Sequence, residues 1–124
     1  MSEEKYVLII EDDSFYSNVY KTKIEKEGLS AVLASDGEEA LKIAMEKKPA
    51  LVILDLVMPG KDGFQTLTEM SSDPNLKDIP VVVLSNLSQE EDIKYVMDLG
   101  AKEYIIKANI PINELIQKIK KYLI

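Results

Sequence analysis

Five short apolar runs punctuate the chain: Tyr6 to Ile10, Ala31 to Ala34, Leu51 to Leu54, Val81 to Leu84 and Tyr104 to Ile106. They are too short and too rich in branched residues to read as helices, so each predicts a β-strand. Between them the apolar spacing becomes helical. Tyr16, Val19, Tyr20 and Ile24 share one face of a first helix, and Ala40, Leu41, Ala44 and Met45 one face of a second. Phe64, Leu67 and Met70 mark a third, Ile93, Val96 and Met97 a fourth, and Ile112, Leu115, Ile116, Ile119 and Leu123 a fifth. Gly28 and Gly100 sit where glycine ends a helix, Pro49 blocks the second helix from continuing, and Ser88 with Glu91 predicts a capping box opening the fourth.

Strict alternation of strand and helix implies right-handed crossovers and a parallel sheet covered on both faces. The expected architecture is therefore a single three-layer, doubly wound α/β domain over residues 1–124. In such open sheets ligands bind at the carboxyl ends of the strands, beside the point where strand order reverses. Polar chemistry collects at those ends: Glu11, Asp12 and Asp13 follow the first run, Asp55 the third, Ser85 the fourth and Lys107 the fifth.

With strand order 2-1-3-4-5, Glu11 and Asp12 face Asp55 across the crevice. Carboxylates that close repel, and they relieve the repulsion by taking up a proton or recruiting a cation. Only oxygen donors are present, which points to Mg²⁺, an ion that keeps waters for incoming phosphate oxygens. A hydroxyl that donates to an anion and an ammonium that neutralises one complete a rim suited to phosphoryl transfer.

Composition narrows the alternatives. A chain of 124 residues, 46% hydrophobic and 30% charged, supports one core. It has no cysteine and no histidine. Disulfides, thiolate zinc sites, imidazole ligands and Ser-His or Cys-His nucleophile pairs are thereby excluded. A net charge of −7 offers nucleic acid and anionic lipid nothing general to hold. The polar start Met1 to Lys5 lacks an apolar signal region, and no apolar run approaches the roughly 20 residues of a membrane span, so a cytoplasmic location is expected. The chain stops just after the fifth helical segment, so the expected output is protein binding rather than a DNA-binding or enzymatic domain.

The stretches YVLIIEDD at 6–13, LVILDLVMPGKDGF at 51–64, PVVVLSN at 80–86 and GAKEYIIKA at 100–108 resemble the receiver domain of two-component response regulators, especially its stand-alone chemotaxis-type (CheY-like) members. The resemblance implies a flavodoxin-like fold with sheet order 2-1-3-4-5 and five flanking helices. It implies that Asp55 accepts a phosphoryl group from a phosphohistidine on a sensor histidine kinase or phosphotransfer protein. By the same resemblance Asp12, Asp55 and the Val57 backbone carbonyl hold Mg²⁺, Glu11 acts on it through water, Lys107 pairs with the phosphoryl group, and Ser85 moves to it.

Tyr104 resembles the aromatic switch that turns inward with Ser85 and remodels the face made by the fourth helix, fifth strand and fifth helix, where a downstream protein binds. Such a domain catalyses only its own phosphorylation and dephosphorylation. It works as a monomer or a weak phosphorylation-dependent dimer. Asp13 is left to cap the first helix. Phe15, Tyr16 and Tyr20, near the site on the first helix, offer a candidate kinase-docking surface, although Tyr16 and Tyr20 are expected to pack on the sheet.

Three departures from the family pattern stand out. Ala108 replaces the usual proline after the lysine, so the following loop is expected to run trans, with Pro111 near the helix start. Asn86 replaces a small residue beside the site. Val57 is apolar where a side chain can orient hydrolytic water, predicting slow loss of the phosphoryl group. In the loop after Asp55, Pro59 sets a turn beside Met58 and Gly63 is expected to let the chain bend. Rival readings are weaker: a flavin phosphate would be repelled by Glu11 to Asp13, and a haloacid dehalogenase-type phosphatase needs an aspartate where Val57 stands. A receiver-fold adaptor that is never phosphorylated is the remaining alternative.

Overall fold

Tyr6–Ile10 (β1), Ser30–Ala34 (β2), Leu51–Leu54 (β3), Val81–Ser85 (β4) and Glu103–Ile106 (β5) form one parallel sheet in the order β2-β1-β3-β4-β5. Ser14–Lys26 (α1), Gly37–Glu46 (α2), Gly63–Ser72 (α3), Glu90–Asp98 (α4) and Ile112–Lys121 (α5) are the crossovers and the closing helix. This computed structural model describes residues 5–123; the start Met1 to Glu4, on which most of the expected absence of an export signal rests, lies outside them. Three strands extend one residue beyond their apolar runs, at Ser30, Ser85 and Glu103.

The two-residue period of the strands divides the core in two. Leu8, Ile10, Val52, Leu54, Val81 and Val83 meet Ala40 and Ala44 of α2, Leu67 and Met70 of α3, and Val96 of α4. On the opposite face Val7, Ile9, Leu51, Ile53, Val82 and Leu84 meet Tyr20 and Ile24 of α1 and Leu115, Ile116 and Ile119 of α5. The central strands β1, β3 and β4 are buried throughout, which is why they read as unbroken apolar runs, whereas the edge strand β2 exposes Val32. No described helix is long and apolar enough to cross a membrane.

Several expectations need correction. Tyr16, Met45 and Met97 are exposed rather than core; α1 instead buries Ser17 with Tyr20 and Ile24. Met45 and Met97 each fall one residue past the buried Ala44 and Val96, and one step on a helix turns a side chain about 100° from its neighbour. The Ser88 capping box does not form, because α4 starts at Glu90 with Gln89 as N-cap and Glu91 falls at the second helical position. Glu90, Glu91 and Asp92 instead place negative charge at the positive end of the helix dipole.

The capping box sits on α3. Asp62 Oδ1 accepts from the Gln65 N–H at 2.9 Å, and Gln65 Oε1 accepts from the Asp62 N–H at 3.1 Å. The bend before α3 belongs to Gly60, at φ +68°. Gly63 is needed for space, since a Cβ there would lie 2.3 Å from the Asp55 carbonyl oxygen. Gly28 and Gly100, both at positive φ, follow α1 and α4 as expected.

Candidate functional site

Register carries the acidic groups to one place. Ile10 pairs with Leu54, so the residues after them, Glu11 and Asp55, leave adjacent strands side by side, with the Asp55 N–H donating to the Ile10 carbonyl at 3.0 Å. Two strands along, Ser85 pairs with Ile106 and Lys107 follows directly. These ends open into a cleft of about 430 Å³ lined by Glu11, Asp12, Asp13, Tyr16, Asp55, Val57, Ser85, Asn86 and Lys107. Every residue expected at the site lines it except Tyr104.

Charge in the cleft is arranged around one ammonium. Lys107 Nζ donates to Glu11 Oε1 at 2.5 Å and to Asp55 Oδ2 at 3.1 Å. All three side chains are nearly buried. Burial pushes the Glu11 carboxyl above its ordinary range and the neighbouring Asp55 charge adds to that, against the hydrogen bond from Lys107. Burial alone would lower the Lys107 ammonium, but its carboxylate partners, Glu11 foremost, outweigh that and raise it.

Glu11 Oε2 also accepts from the Asp13 N–H at 3.2 Å, and Asp55 Oδ1 from the Val57 N–H at 3.3 Å. Carboxylate oxygens of Glu11, Asp12 and Asp55 lie within 4.8 Å of one another, a spacing that suits a divalent cation; Asp12 is the exposed member. Asp13 stands outside this group and caps α1, accepting from the Phe15 and Tyr16 N–H groups at 2.9 and 3.3 Å.

Ser85 is fully buried at the back of the cleft, its Oγ accepting from the Leu87 N–H at 3.3 Å. Tyr104 sits one layer behind. Its ring packs on the core face formed by α2, α3 and α4, and its hydroxyl donates to the Leu87 carbonyl at 2.6 Å. Leu87 thus links the two groups assigned by resemblance to a switch.

Two features depart from the preferred reading of the sequence. Tyr16 is a wall of the cleft, with Lys107 Nζ 4.9 Å from its ring centroid, while Tyr20 does pack on the sheet. Its place in the first turn of α1, three residues after Asp13, was the available signal. The second is a hydrogen bond at 2.9 Å from the Ala108 N–H to Asn86 Oδ1. Peptide bonds are trans throughout the described residues, and Lys107–Asn109 form a 3₁₀ turn before Pro111, the N-cap of α5.

A doubly wound sheet of order 2-1-3-4-5 with an acidic, lysine-bearing cleft at its carboxyl rim is the arrangement expected of a receiver domain. The chain belongs to the response regulator receiver domain family, whose profile matches residues 7–120. It is 36% identical over 123 residues to a protein described as a probable transcriptional regulator, ycf27, of Porphyridium aerugineum, covering 99% of this chain and 49% of that one. It is 31% identical over 108 residues to the protein PilH of Pseudomonas aeruginosa, covering 87% of each. Among solved structures, the phosphorylated cyanobacterial phytochrome response regulator RcpA superposes with a TM-score of 0.81 at 33% identity, over 96% of this chain and 91% of that one. The chain spans about half the length of several curated relatives it matches.

Proposed function

We propose that this receiver domain is a phosphoacceptor, with Asp55 as the accepting residue and Mg²⁺ as its cofactor. The observation that carries the reading is the convergence of Asp55 with Glu11, Asp12, Ser85 and Lys107 in one cleft, with three carboxylates spaced for a cation. RcpA, the relative solved in a phosphorylated form, lends support. An Asp55 carboxylate oxygen attacks the phosphorus of a phosphohistidine; the N–P bond breaks, the acyl phosphate O–P bond forms, and the imidazole takes a proton from solvent. These 124 residues contain no histidine, so the donor histidine lies outside them, on a sensor kinase or phosphotransfer module.

Asp12, Asp55 and the Val57 carbonyl would hold the metal, with Glu11 acting through water. Bound there, the ion offsets the charge that builds between carboxylates and phosphoryl oxygens. Lys107 then serves the phosphoryl group, and Ser85 donates its hydroxyl to it. Losing Ser85 as acceptor frees the Leu87 segment and the Tyr104 hydroxyl held to it. The outcome is a population shift limited by the free-energy difference the phosphoryl contacts make between two states. A downstream protein reads the α4, β5 and α5 face, and Phe15, 69% exposed beside the cleft, belongs to the surface that meets the donor. The domain acts on no other substrate and works in the cytoplasm.

Labelling with acetyl phosphate, followed by intact mass, tests this. One phosphoryl group should be gained only with Mg²⁺ and not by Asp55→Asn. No gain by the wild-type protein overturns the reading.

A further inference from the structure

Asn86 and Ala108 stand where the family pattern has a small residue and a proline, and the fold brings the two departures into contact. The Ala108 N–H that donates to Asn86 Oδ1 at 2.9 Å would be absent from a proline. A backbone N–H can only donate, so the carboxamide oxygen must face Ala108 and the orientation of the amide is fixed by chemistry. Its other end, Nδ2, keeps two donors and makes no hydrogen bond to another described residue. Asn86 follows the buried Ser85 and lines the cleft together with Asp55 and Lys107.

On the phosphoacceptor reading, we infer that Asn86 is a phosphoryl-binding residue. Anchored through Oδ1 by Ala108, its Nδ2 donates to the phosphoryl group on Asp55 and shields it from water, prolonging its life. The opposed reaction is hydrolysis. A water oxygen bonds to phosphorus, the phosphorus–Oδ bond breaks, and the Asp55 carboxylate leaves with H₂PO₄⁻, which holds both water protons. Val57, 59% exposed at the same mouth, has no polar group with which to orient that water. The anchor also joins the loop after β4 to the turn that carries Lys107, so a wandering of either loop loosens the contact.

Two readouts separate this inference from the reading beneath it. The first is amide hydrogen exchange at Ala108 in the unphosphorylated protein. Asn86→Ala should speed exchange there by tenfold or more, whereas Asn86→Asp, which keeps an acceptor oxygen, should leave it protected. Unchanged protection in Asn86→Ala overturns the anchor whatever the phosphoryl chemistry does.

The second readout is phosphate release after acetyl phosphate labelling. The phosphoryl lifetime should fall about tenfold in both Asn86→Ala and Asn86→Asp, since each lacks the donors. A wild-type lifetime in Asn86→Asp would mean that the residue only ties two loops together, and would overturn the donor role. Ala108→Pro, checked for an unchanged fold by circular dichroism, should shorten the lifetime less than Asn86→Ala and add nothing to it in the double variant. Additive shortening overturns the coupling. Wild-type protein that takes no phosphoryl group overturns the acceptor reading and the donor role together, and leaves the exchange result to decide the anchor.

Discussion

Lys107 holds Glu11 more closely than it holds Asp55, at 2.5 Å against 3.1 Å. Both carboxylates belong to the group spaced for a cation, so ammonium and metal draw on the same two carboxylates. Removing one partner of a buried ion pair is costly because the remaining charge has no water to replace it. Lys107→Met should therefore lower stability by about 3–5 kcal/mol in metal-free buffer. It should also bind Mg²⁺ several-fold more tightly, with most of the lost stability regained on adding the ion. Thermal melts with and without Mg²⁺ check both; equal Mg²⁺ stabilisation of wild type and variant would contradict the competition.

Gly63 makes a second prediction, because the start of α3 presses directly on the residue that carries the site. A Cβ at 63 would lie 2.3 Å from the Asp55 carbonyl oxygen and 2.5 Å from the Leu56 Cα. Backbone atoms cannot rotate away as a side-chain tip can. Gly63→Ala should cost about 2–3 kcal/mol by overpacking and, through displacement of Asp55, slow acetyl phosphate labelling. Gly60→Ala is the comparison: it meets no atom within 4 Å but keeps φ at +68°, so it should cost about 1 kcal/mol and leave labelling near wild type. Urea denaturation and labelling rates measured side by side distinguish the two.

These features were unequally legible in the amino-acid order. The buried strands were plain because a sheet covered on both faces needs uninterrupted apolar residues, and the polar residues that end those runs were plain for the same reason. Glu11, Asp12, Asp55, Ser85 and Lys107 were placed correctly at the rim because one-dimensional position at a strand end becomes position in space once the sheet order is known. Tyr16 was not, since apolar spacing cannot say that the first turn of α1 overhangs the cleft instead of the sheet. The Ser88–Glu91 spacing misled because the pattern holds only if serine is the N-cap, and α4 starts two residues later. The Asn86–Ala108 contact joins residues 22 apart through tertiary structure, and nothing local announces it.

Tyr104 is tied to the loop after β4 by its hydroxyl on the Leu87 carbonyl at 2.6 Å, and the same residue's N–H reaches Ser85. Tyr104→Phe should cost about 1 kcal/mol, the usual worth of a lost hydrogen bond. Its sharper effect should be on the coupling of the two groups. With the tether gone, amide exchange around Leu87 should quicken in the unphosphorylated protein and change less on phosphorylation than it does in wild type. Unaltered exchange at Leu87 would leave Tyr104 as an ordinary packed ring.

Tyr20 makes the alkaline limb of stability predictable. Its phenol is pushed up to about 12, chiefly by burial between α1 and the sheet, where an anion would lose its water. The unfolded chain releases this proton near pH 10. Below that both states hold the proton and the group contributes no pH dependence. Between about 10 and 12 the unfolded state alone ionises and gains stability relative to the fold, so folding stability falls as pH rises, by about 2–3 kcal/mol from this residue once both states have titrated. Tyr20→Phe removes the titrating group while keeping the ring that fills the core. The variant's urea midpoint should decline less steeply than wild type's between pH 10 and 12, and the highest-pH step of the phenolate absorbance titration should disappear. Parallel declines in the two proteins would assign the alkaline loss to other groups.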